Sequence, residues 1–160
     1  MVKNSKNLLI KLILLISIIA LISAFFIEYI LGHQPCNLCI LERIPYFLAI
    51  IVILLNYKFI EFEKFFILFL TIIFLFGTVL SLYHLGIEQG LIQESLVCDL
   101  KSGSNLLSKE EIIKQLQEKS VSCKDVTFKM FGLSLTSYNI LISILITFSA
   151  GKIYFNYDKN

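Results

Sequence analysis

Tryptophan is absent from this chain, proline occurs only twice, and charged side chains make up just 16% of its 160 residues. An average soluble domain carries roughly 25% charged residues. Combined with 57% hydrophobic residues and a mean hydropathy of +0.81, that shortage excludes a soluble fold, which could not hide so much apolar surface. A bilayer removes the need to hide it. The net charge of +2 is too small to point to nucleic acid. Without tryptophan, aromatic anchoring at a membrane interface falls to Tyr and Phe.

What the chain does contain is apolar runs of the length that spans a bilayer, about 20 residues each. Four are placed, at about 8–31, 40–55, 65–85 and 131–154. They use nearly the whole sequence, so residues 1–160 read as a single integral membrane domain, an all-α four-helix bundle. A basic start before an apolar run is also how a signal peptide opens. Here the run is too long for one, and no clear small-x-small cleavage site follows it. Gly77-x-x-x-Ser81 in the third span is a small-residue spacing that suits close helix packing, within the bundle or between chains.

Two stretches lie between spans on the same side, about 32–39 and 86–130. In the longer one, Ser108-Lys109-Glu110-Glu111 fits a capping box. Ile112, Ile113 and Leu116 share a face of the helix that follows, so it either lies on the membrane surface or packs on the bundle. Charge says little about sidedness. Lys3, Lys6, Lys11, Lys58, Lys64, Lys152 and Lys159 lie on the side of the termini, against Arg43, Lys101, Lys109, Lys114, Lys119, Lys124 and Lys129 opposite. Long loops count less in the positive-inside rule, which modestly favours a cytoplasmic amino terminus.

The cysteines are more telling. All four, Cys36, Cys39, Cys98 and Cys123, fall on one side of the membrane. Facing an oxidising compartment they can form disulfides. Of the three pairings open to four thiols, Cys36 with Cys39 and Cys98 with Cys123 is the natural choice. A Cys-x-x-Cys pair at a helix amino terminus has its thiolate favoured by the helix dipole and by free backbone donors. Pro35 supports a helix start there. Pro45 denies the Leu41 carbonyl its donor, so the regular helix either begins near Leu41 or kinks. Arg43 follows Cys39 by four residues, onto the same helix face. It either snorkels to the interface, paired with Glu42, or supplies a fixed positive charge to the Cys39 thiolate and to a polar ligand.

Other cysteine chemistries fit less well. A four-thiolate zinc site wants a second close pair, but 24 residues separate Cys98 from Cys123, so no metal is expected. Covalent haem attachment needs a His directly after the pair, where Ile40 stands. A set of purely structural disulfides remains as the non-catalytic alternative.

Cys36-Asn37-Leu38-Cys39-Ile40-Leu41-Glu42-Arg43 resembles the Cys-x-x-Cys-x-x-Glu-Arg signature of the bacterial disulfide-bond formation protein B (DsbB) family. Tyr83-His84-Leu85-Gly86-Ile87-Glu88 and Phe131-Gly132-Leu133-Ser134 with Asn139 are similar to further stretches of that family, in the same order. The resemblance covers all four spans and both cysteine loops. It implies a protein of the bacterial inner membrane with both termini cytoplasmic and the cysteine loops periplasmic. It also implies reoxidation of a thioredoxin-fold, DsbA-like oxidase, with the electrons passed to ubiquinone or menaquinone. On that resemblance Cys98 meets the partner, Cys123 is its loop mate, Cys36 exchanges with the loop pair, and Cys39 donates to quinone. Arg43 is implied to hold the quinone, and His84 to lie near it rather than merely anchoring the interface. His33 reads as an ordinary loop residue. A four-helix reductase of the vitamin K epoxide type is a weaker match, because its close pair belongs near the end of a later span.

Overall fold

The structure, a computed structural model, describes residues 2–93, 122–124, 128–130 and 132–157. Its helices are α1 (Val2–Tyr29), α2 (Asn37–Leu41), α3 (Ile44–Lys58), α4 (Glu63–Glu88) and α5 (Leu135–Phe155). A 3-10 turn, Ile60–Phe62, joins α3 to α4. Among the described residues four stretches are long and apolar enough to cross a membrane: Lys6–Tyr29, Asn37–Lys58, Ile60–Glu88 and Leu135–Phe155. The second combines α2 with α3. The all-α membrane bundle expected from hydropathy is therefore the architecture found. The helix expected from Ser108, and most of the loop around it, lie outside the described residues.

α3, α4 and α5 pack in chain order, and α1 lies mainly against α3 while touching α5. One end of the bundle is fastened by Glu63, whose Oε2 accepts from Lys6 Nζ at 2.7 Å and from the Tyr157 hydroxyl at 3.1 Å. Cys36, Cys39 and Cys123 gather at the opposite end. The fourth span begins at Leu135, later than hydropathy suggests, because two short strands precede it. Strands β1 (Lys129–Met130) and β2 (Leu133–Ser134) pair antiparallel, with Met130 opposite Leu133. Gly132 turns the chain at φ 83°, in the left-handed region that favours glycine. Ser134 then caps α5 by accepting from the Ser137 N–H.

In lipid the interior holds no monopoly on apolar residues, so small and hydroxylated side chains decide which face packs. Phe76 and Phe148, 65% and 71% exposed, point out of the bundle, while Ser17, Ser81 and Ser143 are fully buried. Hydroxyls are satisfied within their own helices, as when Ser17 donates to the Ile13 carbonyl and Ser81 to that of Gly77. The small-residue spacing thus serves contacts inside the chain. A Cβ on Gly77 would lie 3.1 Å from Cγ of Pro45, a contact tight enough that the α3–α4 crossing would have to give by a few tenths of an ångström to admit it. Tyr46 follows Pro45 into the core, edge-on to Phe74.

Gly77→Val should therefore overpack this crossing and destabilise the bundle by about 1–3 kcal/mol. An unfolding titration in mixed dodecyl sulfate micelles reads the shift. An unchanged midpoint would mean that the helices do not meet here.

Candidate active site

Pro35 precedes the second span, and Cys36 follows it in extended conformation (φ −72°, ψ 168°) as the cap of α2. The Cys39 N–H donates to Cys36 Sγ at 3.3 Å, and the two sulfurs stand 2.9 Å apart as free cysteines. α2 ends after five residues. Pro45 occupies the first turn of α3, where it needs no hydrogen-bond donor but can offer none to the preceding turn. Within the one span the chain therefore resolves into a short helix, Asn37–Leu41, and a long one that starts at Ile44, where the sequence left open a start near Leu41 or a kink. Only a five-residue helix backs Cys36, so little macrodipole acts on it.

What supports a thiolate at Cys36 is local. The Cys39 side chain at 2.9 Å does most to hold its pKa well below the ordinary thiol value, against the opposing effect of burial. Nε2 of His84, at 3.5 Å, adds a further hydrogen bond and charge in the same direction.

Glu42 and Arg43 fill the break between α2 and α3 and turn in different directions. Arg43 reaches α1, where its Nη1 donates to Glu28 Oε2 at 2.5 Å and its guanidinium lies 5.2 Å from the Phe25 ring centre. It pairs with Glu28 rather than with the neighbouring Glu42 that its sequence suggests. Glu42 turns inward, 8% exposed. Its Oε1 takes Nδ1 of His84 at 2.8 Å, and its Oε2 accepts from the Asn139 amide at 2.9 Å. Asn139 also donates to Ser81, and its carbonyl oxygen accepts from the Tyr46 hydroxyl. Thr136 completes the cluster, donating to Glu88 at 2.5 Å and standing 3.3 Å from Nδ1 of His84. His84 itself is 1% exposed and belongs to the sulfur pair, not to the interface.

Cys123 is buried in one cluster with Cys36, Leu38 and Ile87, and Cys39 packs against its edge. It is disulfide-bonded. Its expected mate, Cys98, lies outside the described residues. His33 meets Phe128 edge-on at 5.3 Å, joining the first loop to the segment before β1.

Of the expected site residues, the structure gathers Cys36, Cys39, His84 and Cys123, and turns Arg43 away from them toward Glu28 of α1. No local motif singles out Glu28 or Thr136, Ser81 stands out only as part of a small-residue packing spacing, and Glu42, Glu88 and Asn139 stand out only as neighbours of other motif residues. Glu28 was the findable one, since an acidic residue inside an apolar span needs a partner.

A capped Cys-x-x-Cys at the end of a membrane bundle, with a third cysteine against it and a buried His–Glu pair behind, defines a membrane protein of thiol–disulfide chemistry. The chain belongs to the DsbB family: the pattern described as disulfide bond formation protein DsbB matches residues 6–152. It is also similar to an uncharacterized protein of Rickettsia prowazekii (strain Madrid E), 32% identical over 166 residues that cover 99% of this chain and 94% of that protein. No solved structure matches the chain. Family membership makes it a multi-pass membrane oxidoreductase of disulfide-bond formation.

The local support for Cys36 can be titrated through thiolate ultraviolet absorbance, using reduced protein with Cys98→Ser and Cys123→Ser. A lowered pKa keeps the thiolate present down to that pKa and loses it as the pH falls through it. The midpoint should lie roughly a pH unit or more below the ordinary ~8.5, and His84→Gln should raise it. An ordinary midpoint in the parent protein would show that Cys39 and His84 do not act on Cys36.

Proposed function

We propose that the protein is a dithiol:quinone oxidoreductase of the bacterial inner membrane that reoxidises a periplasmic thioredoxin-fold, DsbA-like oxidase. One observation carries the reading: Cys36 and disulfide-bonded Cys123 are buried in the same cluster, within reach of the Cys39 sulfur. A disulfide whose Cys123 packs on the Cys-x-x-Cys pair can exchange with it. Structural staples have no need to meet. In this reading the cysteine end faces the periplasm and both termini face the cytoplasm, consistent with Lys3, Lys6 and Lys11 at the amino-terminal end of α1.

Each exchange breaks one S–S bond as a thiolate attacks it in line, and forms another with the attacking sulfur. A partner thiolate attacks Cys98 and expels Cys123, and the partner's second thiol then releases Cys98, leaving the partner oxidised. Cys123 and Cys98, now a dithiol, are reoxidised by the Cys36–Cys39 disulfide through attack on Cys36, with Cys39 as leaving group. His84 and the Cys39 N–H steady negative charge on Cys36 during these steps. The pair then holds two electrons and two protons, and a bound quinone would supply the two-electron oxidant with which the Cys36–Cys39 disulfide re-forms.

The residues present fit such a carrier. Arg43 has five N–H donors, of which the contact to Glu28 engages Nη1. Exposed Ile40 and Ile44 give its surroundings an apolar, lipid-facing surface. Arg43 and His84 are the proposed polar contacts for the quinone ring. His84 reaches it only by exchanging its present contact with Cys36.

The reading is tested by following quinone absorbance in purified protein mixed with excess reduced thioredoxin-fold oxidase. Oxidised quinone should disappear at a rate that Cys39→Ser and Cys98→Ser each reduce at least a hundredfold. No consumption with quinone bound and all cysteines intact would favour a membrane protein whose loops are merely stapled.

A further inference from the structure

The same end of the bundle carries a second arrangement that electron transfer does not require. Sγ of Cys36, Sγ of Cys39 and a ring nitrogen of His84 lie within 4.8 Å of one another. Two of the three come from one turn of chain and the third from α4, so the fold itself brings the set together. We propose that the reduced Cys36–Cys39 pair and His84 form a Cys2His site that captures one thiophilic divalent cation, for which zinc is the best fit.

Three features point the same way. Ligand geometry is the first. Zinc bonds of about 2.3 Å to sulfur and about 2.0 Å to nitrogen put tetrahedral ligands roughly 3.5–3.8 Å apart. Cys36 Sγ and His84 Nε2 already stand 3.5 Å apart. The sulfurs, at 2.9 Å, need to open by less than an ångström, which a small side-chain rotation at half-buried Cys39 supplies.

The outer contacts are the second. A ligating histidine characteristically gives its other ring nitrogen to a carboxylate, which fixes tautomer and orientation. Here Nδ1 of His84 meets Glu42 Oε1 at 2.8 Å, which leaves Nε2 facing the sulfurs. Cys36 Sγ likewise accepts the Cys39 N–H, a backbone donor that offsets charge on a ligating thiolate. Both outer contacts exist without any ion.

Charge is the third. A divalent cation that binds two thiols displaces two protons to water, and the ion with its two thiolates then sums to zero. A neutral assembly suits a site at the edge of the bilayer, where an uncompensated charge is expensive. Cys39 is the least enclosed of the three donors, so the fourth coordination position opens there, to water or to an incoming thiolate.

Capture and disulfide formation exclude one another, because the disulfide leaves no thiolate to bind. The ion therefore stabilises the dithiol over the disulfide by mass action, and holds the pair reduced. In this way the supply of thiophilic metal outside the membrane sets how much of the protein can turn over. The site stands whether or not a quinone is the electron acceptor.

The test uses the full-length protein in detergent, carrying Cys98→Ser and Cys123→Ser, fully reduced and free of oxygen, with cobalt(II) chloride as the probe. One equivalent should bind, giving a sulfur-to-cobalt charge-transfer band and the intense visible bands of a four-coordinate ion. His84→Gln should weaken binding at least tenfold, Cys36→Ser should abolish the charge-transfer band, and the Cys36–Cys39 disulfide form should bind nothing. Absence of the band in the reduced parent, or equal affinity in His84→Gln, would overturn the site. Should His84→Gln lose its helical circular dichroism, zinc-edge X-ray absorption of the zinc-loaded parent decides instead. A shell with two sulfurs near about 2.3 Å and a nitrogen near about 2.0 Å supports the site, and an all-oxygen shell overturns it.

Discussion

A carboxylate with almost no access to solvent organises the cysteine end of this protein. Glu42 sits where α2 has ended and α3 has not begun, and its two oxygens hold His84 of α4 and Asn139 of α5. From those contacts follow the direction of the imidazole, its approach to Cys36, and the hydrogen bonds that continue to Ser81 and Tyr46. Removing one partner of such a group leaves a buried polar or charged atom unanswered, which is more damaging than the loss of a single contact. The cluster acts as a unit, and the sulfur geometry depends on it.

The remainder of the bundle obeys a different rule. Lipid offers its apolar side chains as much as the interior does, so burial alone holds few helices together. Close approach does more: Gly77 against Pro45, with serines and threonines folded back onto their own carbonyls. Ionic contacts then secure the ends, Lys6 with Glu63 at one and Arg43 with Glu28 at the other. The position of the sulfur pair therefore depends on polar contacts at the ends of the bundle and on close steric fit between them.

Much of this was legible in the sequence. Four apolar runs announce the spans, because a helix must satisfy its own backbone in lipid. The Cys-x-x-Cys pair announces its chemistry, since its spacing is local. Partners from distant elements were harder to see. Arg43 invites pairing with Glu42 or with the face of Cys39, yet it turns to Glu28, fifteen positions back along the chain. His84 beside Tyr83 looks like an interfacial anchor, and only the packing of α4 on α2 makes it a neighbour of sulfur. Pro45 left two local outcomes open. The chain takes a break at Glu42 and Arg43, and both residues of the break find partners on distant helices.

That break explains a spacing. Two residues after α2, the chain is gripped from opposite sides, by α4 and α5 through Glu42 and by α1 through Arg43. The five-residue helix is thus a short arm clamped at its base, and its sulfurs are aimed by counting residues from the clamp. Each residue turns a helix by about 100°. One residue inserted or deleted between Cys39 and Glu42 would swing both sulfurs away from His84, however apolar the replacement. Leu38, Ile40 and Leu41 can thus trade with other apolar side chains as size allows, whereas the length of the segment cannot change.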